Sequence, residues 1–219
     1  IAACELERSR IMNCECWFLG VTAALLAVGC GSSDSGSDNG ISDAASAGFV
    51  GIYQTTGYSE NSASCDAPGA STLDTLQDKY FLVAPAVELG IHLVSLVSCN
   101  SVSDCQTKRT AVTSAGFYSY LYSYTLTSVS NATTLTGFEA TTGFSSANST
   151  MCTGRTYADH TLTLNADHSL HLESRTKDLA DKPQQDGFCE VDPAQSKQEA
   201  ASAPCSDLKV VDGTFVQAM

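Results

Sequence analysis

Four histidines, His92, His160, His168 and His171, are the side chains of this sequence best suited to acid–base work near neutral pH. Carboxylates stand beside them in Asp159-His160 and Asp167-His168, and His171 alternates with Glu173 and Arg175. An imidazole next to a carboxylate can orient a general base or complete a metal site. His160, His171 and Glu173 would therefore form such a set if they converged in one cleft. Alternation about a turn gives them a plainer role, as the turn and wet face of an amphipathic ribbon. No Gly-x-Ser-x-Gly elbow, His-Glu-x-x-His helix or phosphate-binding glycine loop accompanies them. The sequence thus marks no catalytic set and asks for no cofactor. Asp34, Asp38 and Asn39 loosely match a calcium loop, but no glutamate closes it and no helical pattern flanks it.

Tyr118, Tyr120, Tyr122 and Tyr124 follow one another at period two and are half of the eight tyrosines in the chain. On a regular strand all four point to one face. Inside a barrel they would give apolar walls with polar tips, suited to a small apolar or glycan ligand. Outside, they would form an aromatic stripe for glycan or protein contact. Ordinary core packing, with the hydroxyls reaching the rim, is the third option.

The segments that must position these groups read as strands. Phe49–Tyr58, Tyr80–Ala86, Ile91–Ser98, Phe117–Val129, Thr133–Phe144, Met151–Leu164 and Ser169–Thr176 are rich in β-branched and aromatic residues. Gly, Asn, Asp and Pro separate them. Leu162, Leu164, Leu170 and Leu172 alternate around Asn165–His168, which predicts a hairpin. Val210-Val211-Asp212-Gly213-Thr214-Phe215-Val216 predicts either an Asp-Gly hairpin or one bulged strand. No long helical pattern intervenes, so parallel βαβ architecture is excluded. The expectation is all-β: an antiparallel meander barrel or a sandwich of seven to eight strands, with the barrel preferred.

Of ten cysteines, Cys65, Cys99, Cys105, Cys152, Cys189 and Cys205 fall in this β-rich region. An even count in an exported domain reads as three disulfides, which also removes cysteine nucleophiles; no Cys-x-x-Cys pair suggests zinc instead. Cys99 and Cys105 bracket a strand end entering a short helix capped by Ser103 and Gln106. Cys189 and Cys205 bracket Asp192-Pro193-Ala194-Gln195, a cap, an N1 proline and a capping-box glutamine. Each bridge would staple a short helix to the sheet, and Cys65 and Cys152 pair by elimination.

Residues 17–29 are uncharged, mostly apolar and end at Cys30. The run is too short to span a bilayer and has the length of a signal-peptide hydrophobic region. Leu26-Ala27-Val28-Gly29-Cys30 resembles the lipobox of bacterial lipoproteins of the Gram-negative type. That resemblance implies cleavage after residue 29, lipidation of Cys30 and a membrane anchor of several acyl chains. Gly31 rather than aspartate after the cysteine implies the outer membrane, on its periplasmic or cell-surface face. The Ser/Gly/Asp tract that follows predicts a flexible tether over residues 30–47, ahead of one disulfide-bonded β-domain over 48–219. Gly51-Ile52-Tyr53 bears a slight resemblance to the Gly-x-Trp that opens lipocalins, in keeping with a meander barrel.

The whole chain carries a formal net charge of −13. Residues 1–30 hold Arg8 and Arg10 with Glu5, Glu7 and Glu15, so the mature part keeps a net −12. Such a surface disfavours nucleic acid as a partner. Three classes of function remain: an anchored lipoprotein with a structural or interaction role, a small-ligand-binding barrel lined by tyrosines, and an enzyme of unstated reaction. The first is the leading expectation.

Overall fold

A computed structural model describes residues 40–88, 90–113, 123–142, 152, 154–184, 189 and 192–219. Cys30, the expected leader over residues 1–29, Tyr118, Tyr120 and Tyr122 lie outside the described residues. Nine strands form one antiparallel sheet: β1 (Gly51–Asn61), β2 (Tyr80–Glu88), β3 (Ile91–Cys99), β4 (Ser123–Leu126), β5 (Ser128–Asn131), β6 (Thr134–Thr142), β7 (Arg155–Leu164), β8 (Leu170–Leu179) and β9 (Cys205–Gln217). Their order, β4-β3-β2-β1-β9-β8-β7-β6-β5, is a meander whose first and last strands pair with each other. The sheet curls into a nearly closed barrel, the preferred of the two expected architectures.

Its seam lies between β4 and β5. Only Thr127 separates them, so one stretch of chain pairs first with β3 and then, past a bend, with β6. The Thr127 N–H donates to the Thr136 carbonyl at 2.9 Å and begins the second pairing. Here β6 presents Gly137, where a Cβ would stand 2.0 Å from the Thr125 carbonyl oxygen. Only a residue without a side chain lets the two backbones approach so closely. Nine strands exceed the seven to eight expected because this bend divides one apolar run in two.

Several expected elements are present. β7 and β8 form the predicted hairpin, with Leu162 opposite Leu172 and Leu164 opposite Leu170. His168 sits in its turn at φ 61°. Asp212-Gly213 lies within β9, so that segment is one strand, and β1 makes a register shift opposite it. Helix α1 (Asp43–Ser46) comes from the stretch expected to be tether. Its flanking Ile41 is 2% exposed in the core, and the Ile41 N–H donates to the His92 carbonyl at 2.8 Å. The described fold therefore includes the end of this tract from Gly40, docked by one buried isoleucine.

Helix α2 (Val102–Thr113) is capped by Ser101, two residues before the predicted Ser103. Ser101 Oγ accepts from the Asp104 N–H, and Asp104 reaches back to the Asn100 N–H. Helix α3 (Pro193–Ala200) is capped by Asp192 with proline at its first position, as expected. Its outer-face neighbours are Arg155, 2% exposed, which donates to Ser196 and Glu199, and Tyr157, stacked on Phe138.

The six cysteines form three bridges, of which Cys99–Cys105 matches expectation, with Cα atoms 5.2 Å apart. The other two are Cys65–Cys205 and Cys152–Cys189, which corrects both Cys189–Cys205 and Cys65–Cys152. Sheet neighbours decide the pairing. β1 and β9 are adjacent, with Asn61 opposite Leu208, so the chain leaving β1 brings Cys65 to Cys205. Arg155 is opposite Leu179, so the flanks of the β7–β8 hairpin carry Cys152 and Cys189 together. No helix among the described residues is long and apolar enough to cross a membrane.

Candidate functional site

Inward-facing residues change character along each strand. Starting from the end where α1 sits, β7 presents Leu164, Leu162, His160, Ala158 and Thr156. β8 presents Leu170, Leu172, Ser174 and Thr176, and β9 presents Gly213, Val211 and Lys209. On β6 Leu135 is followed by Glu139 and Thr141. The apolar half is filled by one cluster that includes Phe49, Tyr53, Phe81, Leu126, Leu135, Leu162, Leu172 and Val211. Tyr53 stacks on Phe81 with centroids 5.2 Å apart, and its hydroxyl donates to the Phe49 carbonyl. Burial pushes that phenol up to about 12. Gly213 makes room for the stack, since a Cβ there would meet the Phe81 ring at 2.3 Å.

The other half holds a cavity of about 280 Å³ lined by Ser123, Tyr124, Glu139, Thr141, Thr156, Ala158, His160, Ser174, Thr176 and Lys209. It lies at the lower edge of the roughly 300–1,000 Å³ usual for small-molecule pockets.

His160 forms its floor. The side chain is 2% exposed, and Nδ1 lies 3.0 Å from Ser174 Oγ. The Tyr124 ring meets the imidazole edge-on at 5.0 Å. Nε2 is buried and has no hydrogen-bond partner. Its nearest carboxylate, Glu139 Oε2, stands 4.0 Å away, too far for a hydrogen bond. Burial lowers His160 to about 4, the nearby Asp159 charge opposing that only in part, so the ring is neutral at pH 7. Burial also raises the half-buried Glu139 carboxyl. Lys209 contacts Glu60 at 3.5 Å and Asp207 at 3.7 Å, while Asp207 Oδ1 is buried without a hydrogen-bond partner. Such orphaned polar atoms are rare in native interiors, and each asks for a missing partner.

The structure separates the residues singled out by sequence. His160 faces inward, which corrects its assignment to the wet face. Leu162 and Leu164 are core residues of the same strand, and counting back by two from them reaches His160; that parity was the available signal. His171 and Glu173 do lie outside. His171 Nδ1 is 2.7 Å from Asp212 Oδ1 and Nε2 is 3.5 Å from Glu173 Oε1. Partial burial pulls His171 down, but hydrogen bonds and charge from Asp212 and Glu173 outweigh it and raise the imidazole. The trio His160, His171 and Glu173 therefore does not converge. His92 is exposed at the start of β3.

Tyr124 is 7% exposed, packs into the core and lines the cavity. It is the one member of the tyrosine row within the described residues. Glu139, Ser174, Lys209, Thr141 and Thr156 were missed, because their roles depend on strands β6 to β9 closing around a common interior. No group of three His, Cys, Asp or Glu among the described residues could hold a metal ion. No family model matches the chain, and no curated protein or solved structure matches it significantly.

Proposed function

We propose that the protein is an exported lipoprotein whose barrel binds a small polar molecule in the cavity around His160. One observation carries the binding half: a cavity of about 280 Å³ ends on a buried imidazole whose Nε2 lacks a partner. Leaving a buried polar atom unpaired costs about 1–3 kcal/mol, which a bound ligand recovers. This raises the ligand-binding alternative above a purely structural role. Among the described residues, the exposed large apolar side chains Val87, Val129, Phe215 and Val216 lie on three strands, β2, β5 and β9, and support no broad docking face by themselves. The export half is supported by the lipobox resemblance at Cys30 and by three disulfides, which suit an oxidising compartment.

Binding is tested by following the histidine ring-nitrogen resonances of the protein while it is titrated with a set of small polar molecules. Assignment uses His160→Gln. A ligand should shift the His160 signals and leave those of His171, on the outer face, in place. If no molecule of the set moves them, the binding proposal fails. Anchoring is tested separately: Cys30→Ala should abolish incorporation of labelled fatty acid, and undiminished labelling would remove the lipoprotein reading.

A further inference from the structure

The polar half of the barrel carries hydroxyl groups, which both donate and accept, together with one carboxylate, Glu139, one imidazole, His160, and one ammonium, Lys209. Glu139 lines the cavity with no lysine or arginine in ion-pair range among the described residues; its nearest basic group is the His160 ring. Lys209, the one lysine or arginine on the wall among the described residues, is already shared between Glu60 and Asp207. Asp207 keeps a buried oxygen unpaired even so. Two carboxylates thus share one ammonium while Glu139 contacts none, and the chain as a whole is strongly acidic, which draws cations toward the mouth.

His160 adds an acceptor. If its Nδ1–H donates to Ser174 Oγ, the neutral ring presents a lone pair at Nε2. Nε2 and Glu139 Oε2 stand 4.0 Å apart with Nε2 buried, so rotation of the part-exposed Glu139 side chain would admit one donor shared by both. An atom about 2.8 Å from each would subtend roughly 90° between them, within reach of a tetrahedral centre bearing two N–H bonds. A hydroxyl brings one proton to two acceptors, and a carboxylate brings none and adds repulsion. A protonated amine satisfies both acceptors and neutralises the charge.

We infer that the cavity ligand is a small organic cation, a protonated amine whose nitrogen sits between Glu139 and His160 with its carbon skeleton along Tyr124. This rests on the cavity-binding proposal and names its ligand class.

The test titrates the protein at pH 7 with three probes of matched size: phenethylamine, phenethyl alcohol and phenylacetate. Histidine ring-nitrogen resonances and affinity are read together. Phenethylamine should shift His160 Nε2 and bind at least about tenfold more tightly than either analogue. Glu139→Gln should remove that preference, weakening the amine about tenfold or more while leaving the alcohol within about twofold. Glu139 is half-exposed, so the fold should tolerate the change, and an unaltered spectrum away from the cavity verifies this. If the alcohol or the acid shifts His160 as well as the amine does, the cation assignment falls and cavity binding stands. If all three are silent, the amine assignment falls, and cavity binding falls with it only if the broader set of polar molecules is silent too. Amine binding unchanged in Glu139→Gln would also overturn the assignment.

Discussion

Acidifying the protein should expose the cost of keeping His160 neutral. Its imidazole is lowered by burial from the ordinary 6.5 to about 4. Above pH 6.5 neither the folded nor the unfolded chain protonates it, and the residue contributes no pH dependence. Between 6.5 and about 4 the unfolded chain takes up a proton that the folded chain refuses, so stability falls as pH falls. About two and a half pH units at about 1.4 kcal/mol each amount to about 3 kcal/mol, complete near pH 4. Other groups act with the opposite sign. His171 is raised, so its contribution is present below pH 6.5 and lost as pH rises through its folded value; the raised Glu139 likewise favours the folded state in acid. These persist in His160→Gln, so the difference between wild type and variant isolates His160. Urea unfolding followed by circular dichroism at pH 7, 6, 5 and 4 measures it. Wild type should lose about 3 kcal/mol relative to the variant over that range. Parallel curves would refute the buried, neutral imidazole.

Three further outcomes follow from the same geometry. Removing Cys65–Cys205, which spans 140 residues, should cost about 5 kcal/mol in the chain-entropy account, against about 2 for Cys99–Cys105, which spans 6; denaturant midpoints of the two double-alanine variants give the ranking. Gly137→Ala should destabilise by at least about 1–3 kcal/mol and speed amide exchange of Thr127 ahead of the other strands, because its Cβ meets backbone that cannot rotate away. Asp192→Ala should cost about 1 kcal/mol, read from thermal unfolding, by freeing the Ala194 and Gln195 N–H groups at the start of α3.

Local signals in the sequence carried the strands, and pairing carried what they did not. The Leu162–Leu172 hairpin, the Asp192-Pro193 helix start and the Cys99–Cys105 bridge depend on neighbours within a few residues, and each was legible. Cys65–Cys205 was not, because it follows from β1 lying beside β9, a fact of closure rather than of composition. The candidate site failed for the same reason. Glu139, His160, Ser174 and Lys209 come from four strands and meet only when register is set. The acidic residue beside His160 in sequence, Asp159, lies exposed on the outer face, while the carboxylate that faces the ring, Glu139, is on the neighbouring strand. Ile41 shows a second limit: a lone apolar residue after a polar tract carries no periodicity to announce that it docks.

The division of the interior into a packed half and a hollow half bears on how such a protein can change over time. Substitutions around Phe49, Tyr53, Leu126 and Leu162 must repack a dense interior, where large-to-small changes cost about 2–5 kcal/mol. Substitutions at Ser123 and Thr176 border the cavity, and those at Thr141 and Thr156 disturb chiefly the 2.6 Å hydrogen bond these two share. Variation can therefore accumulate at the hollow end without unfolding the barrel. A lineage of such chains would diverge first in what it recognises and last in its shape.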